Sequence, residues 1–209
     1  IQSYNRCNLI KSLTSVNGMI SVEYGVLNLT DCLVDGGSRA SYPNITAYSN
    51  SAINALRTTF ANMYSNVNSG GAIYAENACN LNLTNCTFYN CRSTGSGGVI
   101  YCNASNFIAT NCTFYGNQAR YLGGAGEYGG VIYTDGFTSS LFKNCIFSHN
   151  GIGLGGTIPD DISAPSITSG GYNIFEGETS LSFSFAASDL VGVQPNLNIA
   201  SSLTQGSGQ

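Results

Sequence analysis

Charge is scarce in this chain. Only 9% of residues are Asp, Glu, Lys or Arg, the seven Lys and Arg form no run, and the formal net charge is -4. A surface that tracks phosphates needs clustered cations, so nucleic acid is not an expected partner. Long apolar runs are missing as well, and with none of 18 residues or more there is no expected transmembrane segment. No stretch repeats apolar residues at i, i+3, i+4 and i+7 over ten positions, which excludes amphipathic helices. Catalytic signatures are equally thin. The one histidine, His149, stands apart from the acidic pair Asp160-Asp161, and no Asn-Thr-Asp or Arg-Ile-Lys motif accompanies that pair. The chain begins at Ile1 without a leader-like segment, as expected of a processed form or a fragment. Ser, Thr, Asn and Gly are abundant, yet 43% hydrophobic residues argue for a packed interior over disorder.

What is present is a repeat. Gly-Gly-Ala-Ile-Tyr at 70–74, Gly-Gly-Val-Ile-Tyr at 97–101 and 129–133, and Gly-Gly-Thr-Ile at 155–158 start 27, 32 and 26 residues apart. Asn17-Gly18-Met19-Ile20 and Asn44-Ile45-Thr46-Ala47 extend the slot upstream. A second column reads Cys7, Cys32, Ala61, Cys86, Cys112 and Cys145. Two residues after each stands Leu9, Val34, Met63, Phe88, Phe114 or Phe147. Such a period marks units that bury their apolar faces only against neighbouring units. Each unit holds three short runs rich in Tyr, Phe, Ile, Val and Thr, punctuated by Gly and Asn, and these are strands. The expected fold is all-β, a right-handed parallel β-helix of about seven to eight coils with three short strands per coil. Stacking at about 4.8 Å makes a rod roughly 40 Å long. Residues 1–175 form the coils and 176–209 a closing segment of the same domain.

Within Leu81–Phe88 the two leucines share one parity, while Cys86 and Phe88 share the other, so a bend falls at Thr84-Asn85. The slot of Asn85 reads Arg6, Asp31, Phe60, Asn85, Asn111 and Asn144. Asn and Asp tolerate left-handed backbone angles, which predicts an asparagine ladder there. The Gly-Gly-Ala-Ile and Gly-Gly-Val-Ile elements, followed by Phe-x-x-Asn at 114–117 and 147–150, resemble the polymorphic outer membrane protein repeats of chlamydial type. One copy departs, with Cys91 where the Asn is expected. The resemblance implies the β-helix fold and an adhesive role. The segments 171–175 and 189–197 look like the closing part of bacterial surface β-helix proteins.

Three sets of candidate functional residues follow. Four residues past each Gly-Gly start stand Tyr48, Tyr74, Tyr101 and Tyr133, which alternation turns outward beside Val99 and Val131 as a binding stripe. The longer connections 35–44 and 118–128 should protrude, and Tyr121 and Tyr128 add to the candidates. Six residues past the start stand Glu23, Asn50, Glu76, Asn103, Asp135 and Asp161. That column reads as a second turn ladder, or Asp135 and Asp161 hold a hard cation. No cofactor is otherwise expected, and Ca²⁺ is the one candidate. Of six Asn-x-Ser/Thr sequons, Asn28, Asn44, Asn82 and Asn103 are candidate glycosylation sites, while Asn85 and Asn111 are expected to be hidden in the ladder. The eight cysteines are either buried thiols or disulfide partners, without an assigned pairing.

The reading that results is a non-catalytic extracellular or cell-surface rod with an adhesive or structural role, in one form a glycosylated filament subunit. Its partners would be other copies of itself, or surface proteins and glycans. The alternative is a polysaccharide-active lyase or hydrolase of the pectin-lyase-like fold, since carboxylates about 5 Å apart suit glycoside cleavage.

Overall fold

The computed structural model describes residues 1–10, 18–38, 42–67, 69–120, 129–135, 140–153, 155, 158–163, 167–177, 184–195 and 197. They form a parallel β-solenoid. In one coil the chain runs through Ile73–Glu76, Asn80–Thr84, Thr87–Tyr89 and Arg92–Ser93, then reaches Ile100–Asn103 one layer on. Stacked coils give a six-stranded sheet bearing the tyrosines, a seven-stranded sheet of the longest strands, an eight-stranded sheet bearing the phenylalanines, and a four-stranded sheet of two-residue strands. The last is a fourth face beyond the three strands expected. Six tyrosine-sheet strands allow fewer complete coils than the seven to eight expected, the remaining strands being partial layers at the ends.

Alternation explains the core. Ile73, Ile100 and Ile132 point inward from one sheet, Leu81 and Phe107 from the next, and Phe88 and Phe114 from the third, all without exposure. The phenylalanines form a continuous stack. Centroids of Phe60, Phe88, Phe114, Phe147 and Phe175 lie 4.6, 5.0, 4.8 and 4.8 Å apart in sequence, with interplanar angles of 11° or less. In-register parallel pairing sets that spacing, because it places each ring one strand from its equivalent.

The Gly-Gly element has a steric cause. Gly97 sits at φ 65°, and a Cβ on Gly98 would lie 2.1 Å from the carbonyl oxygen of Gly130 in the next coil. The first position needs a left-handed backbone and the second needs an absent side chain. The Phe-x-x-Asn element also has a cause. Asn117 is buried at the next bend, where its Oδ1 accepts from the Cys91 N–H at 2.9 Å and its Nδ2 donates to Phe88 O at 3.1 Å. Asn150 repeats this one coil on, accepting from Asn117 N–H and donating to Phe114 O. Each asparagine closes the backbone of the preceding coil.

Register differs from the expected columns at three places. Thr58 and Phe60, not Ala61 and Met63, align with Cys86 and Phe88, because Thr59 pairs with Thr87 and Phe60 with Phe88. Burying a large ring against its equivalents outweighs matching a small residue to cysteine. The left-handed bend column therefore contains Arg57 in place of Phe60 and reads Arg6, Asp31, Arg57, Asn85, Asn111 and Asn144, all with φ between 48° and 54°. The Gly-Gly slot of the coil beginning near 44 starts two residues earlier, since Ile45 pairs with both Ile20 and Ile73. Gly155 lies outside the slot altogether. Gly130 N–H donates to Asp160 O, and Ile132 pairs with Ile162, so Pro159–Ile162 fills it.

Past residue 175, Leu190–Val191 adds in parallel to Ile174–Phe175, and Phe185 packs edge-on against Phe175 at 5.2 Å. Asp189 Oδ1 accepts from the Asn173 N–H at 3.0 Å, and its Oδ2 accepts from Ser169 Oγ and Ala186 N–H. The described part of the tail thus continues the stack.

Candidate functional site

The tyrosine sheet is the most ordered outward feature. Because the isoleucines before them point inward, Tyr74, Tyr101 and Tyr133 point outward, and in-register pairing places them in one row. Their rings stack at 4.8 Å and 8°, then 5.6 Å and 16°. Each ring is half-buried. Stacking covers the ring faces, so the column presents edges and hydroxyls. The Tyr74 hydroxyl donates to Glu76 Oε1 along the same strand. Burial first, and Glu76 second, raise the Tyr74 pKa, and burial likewise raises those of Tyr101 and Tyr48. The column is an array of neutral phenols beside a polar row of Glu76, Asn103 and Asp135.

Two expectations about this stripe need correction. Tyr48 is not in the row. Thr46 pairs with Tyr74, while Tyr48 pairs with Glu23 and tilts 55° against Tyr74 at 6.2 Å. There it lines an open groove of ≈ 460 Å³ with Met19, Ser21, Tyr42, Pro43 and Thr46. Val99 and Val131 do not belong to the stripe, because both are fully buried above the inward isoleucines. Tyr121 and Tyr128 lie outside the described residues.

The acidic pair is not assembled. Asp135 is exposed at the end of its strand, paired with Asn103. Asp161 is 2% exposed at the start of the next strand, where its backbone carbonyl accepts from Val131 and Ile132 N–H. The displaced glycine slot moved Asp161 off the row, so the two carboxylates cannot share one cation or flank one glycosidic bond as expected. Among the described residues no group of three or more His, Cys, Asp or Glu is placed to hold a metal. Burial pushes the Asp161 carboxyl up to about 7, against a hydrogen bond from Asn150 Nδ2 at 2.9 Å.

The sequons sort differently from expectation. Asn44 is fully buried and donates from Nδ2 to Gly71 O at 2.9 Å, so it is unavailable to a glycan. Asn85 and Asn111 are exposed, because the left-handed bend turns their side chains outward. Asn28, Asn82 and Asn103 keep outward positions, Asn82 exposed and the other two half-buried. Asn28 and Asn82 also belong to an amide ladder outside the columns expected from the repeat. Asn82 Nδ2 donates to Asn54 Oδ1 at 2.8 Å, Asn54 Nδ2 to Asn28 Oδ1 at 2.9 Å, and Asn28 Nδ2 to Ser3 Oγ at 3.1 Å. The signal for it was Leu27-Asn28-Leu29, Ile53-Asn54-Ala55 and Leu81-Asn82-Leu83, one polar residue between inward apolar residues in three successive coils.

A second outward aromatic column lies on the phenylalanine sheet, with Tyr89 and Tyr115 at 6.0 Å and His149 over Tyr115 at 5.0 Å. Ser148, His149 and Glu176 meet there, but not as a nucleophilic triad. Ser148 Oγ lies 2.8 Å from His149 Nδ1, and Glu176 Oε2 lies 3.0 Å from that same nitrogen. A triad needs the nucleophile and the orienting acid on opposite ring nitrogens. Ser148 is also fully buried and donates to Glu176.

The site is therefore a face of a rod, an extended outward surface made by repetition on a parallel β-solenoid. A family model described as right handed beta helix region matches residues 17–181, and the chain belongs to that family. Neither the curated proteins nor the solved structures contain a match to it. Among the described residues no helix is long and apolar enough to cross a membrane.

Proposed function

We propose that this chain is a non-catalytic rod, extracellular or at a cell surface, that adheres or assembles through its tyrosine sheet. The observation that carries the reading is the stacked column of Tyr74, Tyr101 and Tyr133 beside the polar row of Glu76, Asn103 and Asp135. A column whose faces are covered offers a flat strip of ring edges and hydroxyls. Such a strip fits a flat protein surface or the side of a second rod better than a sugar ring, which binds by lying on an open aromatic face. The repeat motifs that resemble polymorphic outer membrane proteins support adhesion. Outward sequons at Asn82, Asn85 and Asn111 are compatible with a glycosylated surface in a host that glycosylates.

The test compares wild type with Tyr101→Thr, which removes the central ring and keeps a β-branched hydroxyl residue. Sedimentation velocity reads self-association, while protein and glycan arrays read foreign partners. Self-association or protein binding that weakens about tenfold in the variant supports the reading; this is about 1.4 kcal/mol. Equal behaviour of both proteins on every surface overturns it.

A further inference from the structure

The column that runs Cys7, Cys32, Thr58, Cys86, Cys112 and Cys145 is not uniform. Strand pairing of Asn8 with Leu33 stacks Cys7 directly on Cys32, and their sulfurs lie 3.3 Å apart. Thr58 occupies the next layer, since Thr59 pairs with Leu33, and it separates this pair from the three cysteines beyond. Accessibility also separates them. Cys7 is the one cysteine that is not buried, whereas Cys86, Cys112 and Cys145 are each 1% exposed or less. Asn8–Ile10, which follows Cys7, is an edge strand of its sheet.

We propose that Cys7 and Cys32 form a disulfide that ties the first strand layer to the second in an oxidising medium. The sulfurs must close from 3.3 Å to the bonded distance of about 2.05 Å, a side-chain movement that adjacent in-register strands allow. The oxidant is a low-molecular-weight disulfide such as glutathione disulfide. The Cys7 thiolate attacks one of its sulfurs, forming a mixed disulfide and releasing one glutathione thiolate. Cys32 then attacks the Cys7 sulfur and releases the second. Two cysteine thiols are oxidised, the small disulfide is reduced to two thiols, and the two cysteine protons end on them. The reaction selects Cys7 because exchange requires a sulfur that the oxidant can reach. The product closes a loop spanning the first two layers and restricts the unfolded chain. This inference does not depend on the tyrosine sheet having a partner.

The experiment uses the full chain, reduced and then incubated with glutathione disulfide at pH 8. Free thiols are alkylated in denaturant, and peptides are mapped without reduction. The expected result is one crosslink, Cys7 to Cys32, with the other six of the eight cysteines alkylated. Oxidised wild type should also melt above the reduced protein. Cys7→Ser should melt like reduced wild type and show neither crosslink nor shift. The proposal is overturned by a lasting glutathione adduct on Cys7 with Cys32 alkylated, by a crosslink among Cys86, Cys112 and Cys145, or by eight alkylated cysteines.

Discussion

The phenylalanine and tyrosine columns are built by one device and lead to opposite ends. Both stack one ring per coil near 5 Å, at 4.6 to 5.0 Å for the phenylalanines and 4.8 to 5.6 Å for the tyrosines. One is sealed among Ile, Leu and Cys, while the other keeps an edge in water. They stand on different sheets, and on each sheet strand parity decides that the phenylalanines face the core and the tyrosines face water. The difference teaches that stacking distance is a property of the coil, and that energy and function depend on which side of the strand carries the ring.

The largest effect should come from emptying the inner column. Phe88→Ala leaves a cavity between two buried rings and should destabilise by about 4 kcal/mol in urea unfolding. Close behind is the element that lets coils approach. Gly98→Ala places a methyl against the Gly130 carbonyl and should cost about 3 kcal/mol, or prevent soluble expression. If Gly98→Ala is neutral, the close approach of coils is not what selects glycine there.

Next comes the most deeply buried carboxylate among the described residues, Asp161. The native Asp161 stays protonated up to about pH 7, whereas the unfolded chain loses that proton near the ordinary aspartate range. Between those limits the native state holds more protons, so stability falls as pH rises from about 4 to 7 and stays lower above. Asp161→Asn keeps an acceptor for Asn150, should remove that decline, and should gain roughly 3 kcal/mol at pH 8. Melting curves across pH check this, and parallel profiles for both proteins would refute the buried charge.

Outer-column change should be milder. Tyr101→Thr should cost about 1 kcal/mol of stability while affecting association more, which separates it from Phe88→Ala. A change of similar size to that of Tyr101→Thr has the opposite sign. Thr134 Oγ1 is buried without a hydrogen-bond partner in a row otherwise filled by Ala75 and Cys102. Thr134→Val should therefore stabilise by about 1 kcal/mol in the same urea titration.

Much of the fold was legible before any coordinates. Paired glycines at a near-constant spacing, and Phe-x-x-Asn after them, implied parallel coils, and Gly98 and Asn117 show why. The tyrosine row was legible at Tyr74, Tyr101 and Tyr133, where repeats match residue for residue. It failed at Tyr48, whose coil carries Tyr42-Pro43-Asn44 in place of glycines. The acidic pair failed for a related reason. Real glycines at 155–156 resembled the slot, but Pro159–Ile162 makes the strand contacts.

By itself the sequence determined the class of fold, the period, the direction of the strands and three of the inner rings, Phe88, Phe114 and Phe147, but not Phe60. Period and parity are local patterns that one chain displays openly. Tertiary structure alone decided how several coils align, and therefore that Asp135 and Asp161 are apart and that Asn44 is buried and Asn85 exposed. Register between coils is set by the best joint packing of rings and backbone across every layer. A shift of two residues leaves parity unchanged while moving each side chain to a different neighbour.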